Sequence, residues 1–393
     1  MTTLHFENLM FALTDDELSI RFMKVFRCAI PMDEVKKAGL EKVEKHAITL
    51  SSPKRFDFLL ANAFKNLVNT VNSKPAMYIH RGSGIPLIGN RTFGIIDRGS
   101  SLVEVKPMSG CNVECIYCSV NQDSRSNDFV VEADYLVEEF EKLAAFKDCP
   151  LEAHIGTQGE PLLYSDLVRL VRGLSSVPQV KTISMDTSAI MLSIKLIDEL
   201  VEAGMDQFNI SLNAVDKKIA DRMAGIPYPV DHVMKMCRHI ASKADITLAP
   251  VLLQGHNEDQ IAKIVRFAKT LPQTHTVRVG VQNFLSYRFG RNPAKEIAWE
   301  EFYAFLKKLE KQEDMKLVWD AADFHISKTK PLPKPFKKGE LVEAQIVCPG
   351  RMQGEMIAVA KDRTISIPDC TAKKGMVKVS IQSAKHNLFL GKI

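Results

Sequence analysis

Apolar residues in the first part of the chain follow no single period. Phe56, Leu59, Leu60, Phe64 and Leu67 recur at helical spacing and predict a helix within Pro53 to Val71; Glu41 to Lys45 also reads as helical. Short strand-like runs follow, punctuated by Arg81-Gly82-Ser83-Gly84 and Gly89-Asn90-Arg91. From about residue 96 the pattern becomes regular. Leu102–Lys106 reads as a strand, followed by a long loop and a helix over 132–146, with Leu136, Val137, Phe140 and Leu143 on one face. Strands at 151–155, 180–185, 207–212, 246–253 and 277–282 then alternate with helices at 165–174, 194–203, up to 239, 257–271 and 299–311. Leu317-Val318-Trp319 is a candidate for one more strand. Repeated strand–helix units predict a parallel sheet with right-handed crossovers, and six of them favour a partial or full α/β barrel over an open sheet. In a barrel, the chemistry belongs at the C-terminal ends of the strands.

The pattern changes again near the end. Prolines at 331, 333 and 335 prevent helix and mark residues 328–335 as an extended linker. Five short β runs follow, at 340–347, 356–360, 364–367, 376–381 and 388–390, the expected content of a small β-barrel. The chain therefore divides into a mixed N-terminal region (1–95), an α/β barrel (96–327), the linker and a terminal β-barrel (336–393).

Charge sharpens this division. The whole chain has 52 Lys+Arg against 47 Asp+Glu, and the segment from Lys328 onward has 13 against 5. A mildly acidic body thus carries a basic appendage, which points to a polyanion such as nucleic acid. No apolar run reaches the length of a membrane span, and the N-terminus lacks the basic and apolar regions of a signal peptide, so a cytoplasmic protein without a membrane partner is expected. Eight cysteines are too few for a disulfide scaffold, which leaves metal binding or catalysis as their use.

Three of them stand as Cys111-Asn112-Val113-Glu114-Cys115-Ile116-Tyr117-Cys118, in the loop after the first barrel strand. Three thiols within eight residues of a polar loop are poor core filler. Structural zinc takes four ligands, and no fourth Cys or His is near. Three thiolates leave one position open on a [4Fe–4S] cluster. This CxxxCxxC loop in a βα barrel resembles the radical S-adenosylmethionine (SAM) superfamily. The resemblance implies a partial (βα)6 barrel, an electron donor for the cluster, and SAM bound at the fourth iron and cleaved to a 5′-deoxyadenosyl radical that removes hydrogen from an unactivated C–H.

Further residues match at the strand ends. Gln158-Gly159-Glu160-Pro161 resembles the family's GGEP element, whose backbone receives the SAM amino group, although Gln158 replaces its first glycine. Thr187 falls at the third strand end. Ser211-Leu212-Asn213 resembles a ribose-binding pattern, and Val251 to Leu253, followed by Asn257 and Glu258, resembles the segment along adenine. Tyr117 matches the aromatic position that packs on adenine.

Residues 339–346, 350–359 and 385–388 resemble a TRAM domain, an OB-like barrel of RNA-modifying enzymes, here in a pairing of archaeal type. Arg351, Lys361, Arg363, Lys373, Lys374, Lys378 and Lys385 are then expected along a phosphate backbone. Phe336 and Phe389 are the only aromatics available to stack on bases. The resemblance implies modification of RNA, with tRNA as the expected substrate and methylation or another C–H functionalisation as the reaction. Methylthiolation is disfavoured, because only Cys28 precedes Cys111 and a second cluster has no ligands. Cys237 reads as core, and Cys348 and Cys370 as barrel packing. The alternative is a cobalamin-dependent methyltransferase of a protein side chain, such as in methyl-coenzyme M reductase, with the terminal barrel holding cobalamin.

Overall fold

A computed structural model describes residues 1–156 and 158–393. The N-terminal region is mostly β. Thr2–His5, Ala47–Leu50 and Leu40–Glu44 form a three-stranded antiparallel sheet. Glu41–Lys45 is thus strand and turn, not helix. Five residues are too few to sustain a helix, and the segment has a strand partner in Ala47–Leu50. The helix Pro53–Phe64 stops well before Val71, because Val68–Asn69 is drawn into a six-stranded sheet between Phe26–Pro31 and Lys74–Ile79. The edge of that sheet is Asp128–Val131, which pairs in parallel with Lys74–Ile79 and comes from the segment expected to be loop after the cysteines. The N-terminal region therefore anchors the far end of the cysteine loop.

The central sheet has six parallel strands in sequence order: Leu102–Lys106, Leu151–Ile155, Val180–Thr187, Gln207–Ile210, Asp245–Leu248 and Val277–Val279. Gly94–Asp97 adds an antiparallel strand beside the first. The first and sixth strands do not pair, so the barrel is open on one side. The predicted fifth and sixth strands are each interrupted. Pro250 lacks an N–H for the ladder, and beyond it Val251–Leu252 pairs with Gln282–Asn283 as a separate short ladder. Leu317–Trp319 is not a strand. Glu310 Oε1 accepts the N–H groups of Leu317 (2.7 Å) and Val318 (2.9 Å), and Trp319 Nε1 donates to the Val279 carbonyl at 2.9 Å. Among the described residues no helix is long and apolar enough to cross a membrane.

The last five strands, Leu341–Pro349, Met356–Ala360, Arg363–Ile367, Gly375–Ser383 and Leu390–Lys392, close into a barrel in the order first, second, third, fifth, fourth. Phe336, Ile346, Ile365, Val379 and Phe389 fill it. The barrel is docked on the body. Thr364 N–H bonds the Ile88 carbonyl (3.0 Å), Phe389 N–H bonds the Gly89 carbonyl (3.1 Å), and Asn90 Nδ2 reaches Ser366 Oγ (3.2 Å). Gly89 has φ +126°, and a Cβ there would lie 2.3 Å from the Thr364 carbonyl oxygen. The linker is pinned as well: Thr329 N–H bonds Gly99, Leu332 N–H bonds Asp97, and the Lys330 carbonyl takes Lys147 Nζ.

Candidate cluster and cofactor site

The cysteine loop is held at its base and tip. At the base, the buried Asp128 carboxylate accepts from Asn69 (2.9 Å), Asn72 (2.8 Å) and Ser109 Oγ (3.2 Å). At the tip, Glu114 and Ile116 donate their N–H groups to the Ala224 and Met223 carbonyls, and Arg291 Nη1 donates to the Glu114 carbonyl at 2.9 Å. The loop so fixed presents Cys111, Cys115, Tyr117 and Cys118 to one pocket at the C-terminal ends of the strands. Gln158, Gly159, Glu160, Thr187, Ser211 and Val251 line the same pocket.

No three His, Cys, Asp or Glu among the described residues converge on a single ion. A [4Fe–4S] cluster takes one thiolate per iron and needs ligands that stand apart around a shared space. Burial pushes the Cys111 and Cys115 thiols up to about 12, so thiolates there require a cation beside them. Arg125 lines the pocket, is 2% exposed, and its Nε has no protein acceptor. A buried donor without an acceptor, at the wall of three thiols, fits an anionic sulfur-rich group.

The Gly159 position admits no side chain: a Cβ would sit 2.7 Å from the Gly110 carbonyl oxygen and 3.0 Å from that of Ser109. Glu160 braces the second strand end to the third. Its carboxylate accepts from Thr187 Oγ1 (2.7 Å), from Ser188 Oγ (2.5 Å) and N (2.9 Å), and from Leu162 N (3.2 Å), while burial raises its pKa. The Thr187 hydroxyl is therefore committed to Glu160. Asn213 is committed too: Nδ2 donates to Tyr117 Oη (2.6 Å), and Oδ1 accepts the Val251 N–H (2.8 Å). Asn213 lines only a small side pocket beside Tyr117, where it fixes the ring and the strand-end backbone. The expectation for Leu253 is not met. Its side chain is fully buried against Met223 and Phe284 and does not line the pocket.

The terminal barrel also departs from expectation. Arg351 is 3% exposed, turned into the body rather than toward solvent. Phe336 and Phe389 pack edge to face in the barrel core with centroids 4.9 Å apart, so neither can stack on a base. Lys361 bonds Glu340, and Arg363 is half-buried. Lys373, Lys374, Lys378 and Lys385 are exposed. Cys370 sits in the barrel core and Cys348 in the body's core, both unpaired, and Cys237 is buried.

Sequence reasoning missed a second cavity, between the inner faces of the barrel strands and residues 299–326. It shares Asp186, Asn209, Gln282 and Asn283 with the cysteine pocket. Its floor is a hydrogen-bonded chain. Gln207 Nε2 donates to Asn209 Oδ1 (2.8 Å), and Asn209 Nδ2 donates to Asp186 Oδ1 (2.9 Å). Asp186 Oδ2 faces His154 Nε2 at 3.1 Å, and His154 Nδ1 faces Ser184 Oγ at 2.7 Å. Ser184 in turn donates to Glu152 at 2.5 Å, so both His154 nitrogens face acceptors. Burial alone would lower the His154 pKa, but the Asp186, Glu152 and Glu104 carboxylates raise it to about 9. Thr247 Oγ1 and Asn283 Oδ1 are buried there without partners. Tyr287, Trp299 and Tyr303 stand on the wall, 45%, 48% and 40% exposed. The signal was present in the strands, whose polar residues alternate: Glu152 and His154, Ser184 and Asp186, Gln207 and Asn209.

Comparison with known proteins finds a family and several relatives. The sequence profile of the radical SAM superfamily matches residues 105–268. The uncharacterized protein MJ0103 of Methanocaldococcus jannaschii is 33% identical over 419 residues, covering 96% of each chain. The GTP 3′,8-cyclase of Listeria monocytogenes is 31% identical over 174 residues; the match covers 42% of this chain and half of the cyclase. Among solved structures, Streptococcus suis SuiB superposes with a TM-score of 0.44 at 16% identity, covering 80% of this chain and 71% of SuiB.

Proposed function

This chain belongs to the radical SAM superfamily, and we propose that it is an RNA-modifying enzyme that functionalises a C–H bond, by methylation in the simplest case, on a base of tRNA or a similarly folded RNA. When bound, a [4Fe–4S] cluster and SAM supply a carbon radical able to take hydrogen from an unactivated C–H. Cys111, Cys115 and Cys118 would hold the cluster. Tyr117, the Gln158–Glu160 turn, Ser211 and Val251 line the same pocket and would hold SAM. Glu160 ties two strand ends together, and Asn213 orients Tyr117.

The observation that carries the substrate reading is the wall shared by the two cavities. The outer cavity offers four carboxamides, from Gln207, Asn209, Gln282 and Asn283, beside exposed aromatic rings. Carboxamides match the paired donor and acceptor on a base edge. Aromatic rings stack on unpaired bases at a gain of about 1–3 kcal/mol each. A base must leave its stack to enter such a site, and exposed lysines on the terminal barrel suit the flanking phosphates.

The test is nucleoside mass spectrometry of tRNA from a strain lacking the gene, with a complemented control. A modified nucleoside absent from the deletion strain and restored by the wild-type gene but not by Cys115→Ala supports the reading. Unchanged RNA together with cobalamin absorbance in the purified protein overturns it in favour of a protein side chain.

A further inference from the structure

Arg351 follows the first strand of the terminal barrel, yet its guanidinium lies inside the catalytic body. Nη1 donates to Gln158 Oε1 at 2.9 Å, and Nη2 bonds the Gln158 carbonyl and lies 3.5 Å from the Ser109 carbonyl. The Arg351 carbonyl accepts the Ser126 N–H at 2.8 Å. Arg125 reaches the same two carbonyls from the body, Ser109 at 2.9 Å and Gln158 at 3.3 Å. Ser109 lies two residues before Cys111, and Gln158 opens the turn that carries Gly159 and Glu160. Two arginines from two domains thus clamp one carbonyl from each of two loops at the cysteine pocket. Gln158, the residue that departs from the family's glycine, is the side chain that receives the barrel's arginine.

Two buried guanidiniums in one place are costly unless negative charge meets them. The carboxylate that acts on Arg351 is Asp128, which is already bonded to Asn69, Asn72 and Ser109. Both arginine Nε atoms are buried without acceptors. Arg125, which shares both carbonyls with Arg351, lines the cysteine pocket with Cys111 and Cys118, so cluster-bound thiolates there place negative charge beside the pair.

We propose that Arg351 is a positioning residue of the cluster site, delivered by the terminal barrel, which with Arg125 fixes the two loops and sets a positive potential at the cluster thiolates. This rests on the cluster reading above. It makes the terminal barrel a structural part of the metal centre as well as an appendage for substrate. Fixed positive charge beside an iron–sulfur cluster favours its reduced, more negative form and raises its midpoint potential.

The experiment uses full-length protein reconstituted anaerobically with iron and sulfide, and measures iron content, midpoint potential by EPR-monitored titration, and thermal unfolding. Three variants separate charge from docking. Arg351→Met removes the charge, Arg351→Lys keeps it without the fork, and Asn90→Ala removes a docking contact, the 3.2 Å bond to Ser366, on another part of the barrel interface. The expected result is a more negative midpoint potential in Arg351→Met, a partial return in Arg351→Lys, and the wild-type potential in Asn90→Ala even where its unfolding temperature falls. Iron lost from Arg351→Met alone also supports the proposal. A wild-type potential and EPR spectrum in Arg351→Met overturns it, as does an equal shift in Asn90→Ala. Wild-type protein that takes up no iron overturns the cluster reading itself, a different failure.

Discussion

Gly159 and His154 show two ways in which a single residue controls this site. A methyl group on Gly159 meets two backbone carbonyls of the cysteine loop, neither of which can rotate away. Gly159→Ala is expected to cost about 1–3 kcal/mol and to weaken SAM binding at least tenfold, read by equilibrium binding on reconstituted protein. A variant with wild-type SAM affinity would remove the turn from the cofactor site. His154 acts through charge. Its folded-state pKa, about 9, exceeds the ordinary histidine value near 6.5. The stability held by this proton is therefore fully present below about pH 6.5 and lost as pH rises through about 9. Denaturation midpoints of wild type and His154→Gln, compared at pH 6.5, 8 and 9.5, should converge as pH rises. A constant gap would mean that the imidazole is neutral throughout.

At the scale of elements, legibility followed the length and purity of each pattern. The barrel strands and the helices between them were readable because apolar runs alternate with long amphipathic stretches. The cysteine loop was readable because nothing structural asks for three thiols at that spacing. Failures came where a tertiary partner overrode local pattern. Glu41–Lys45 found an antiparallel neighbour, and Leu317–Trp319 lost its ladder to the Glu310 side chain. The polar floor was missed because Glu152, His154, Asp186 and Asn209 each look like an ordinary exposed strand position until barrel closure turns that face inward. Gln158 was visible only as a departure from a motif; its partner lies 193 residues later. Glu310 is the element-scale test. Glu310→Ala leaves two backbone N–H groups without acceptors, at a cost of about 1–3 kcal/mol. It should also loosen the segment that carries Trp319, one of the two tryptophans on the outer cavity wall. Greater quenching of tryptophan fluorescence by acrylamide would show this, and unchanged quenching would mean that Trp319 is held by its bond to Val279 alone.

At the scale of the whole molecule, the basic excess proves to be divided by docking. Arg351 is spent on the cluster loops, Lys361 on Glu340, and Phe336 and Phe389 on the barrel core, so little of the terminal barrel can read a base. Of its basic residues, those that remain outward are lysines, which sense phosphate charge without regard to sequence. On the proposed reading, the barrel would hold folded RNA by its backbone while the aromatic and carboxamide cavity on the body receives the base. Lys373 and Lys374 are adjacent and exposed, on the turn into the strand Gly375–Ser383, and suit a direct test. Each phosphate contact adds roughly 0.7–0.9 to the slope of log affinity against log salt. The double variant Lys373→Glu and Lys374→Glu should therefore weaken tRNA binding about uniformly across sequences and lower that slope by about 1–2, measured by fluorescence anisotropy between low and moderate salt. Iron content and SAM affinity should stay at wild-type values, because neither lysine lines the cysteine pocket. An unchanged slope would take these lysines out of the RNA path and leave the terminal barrel with its docking role alone.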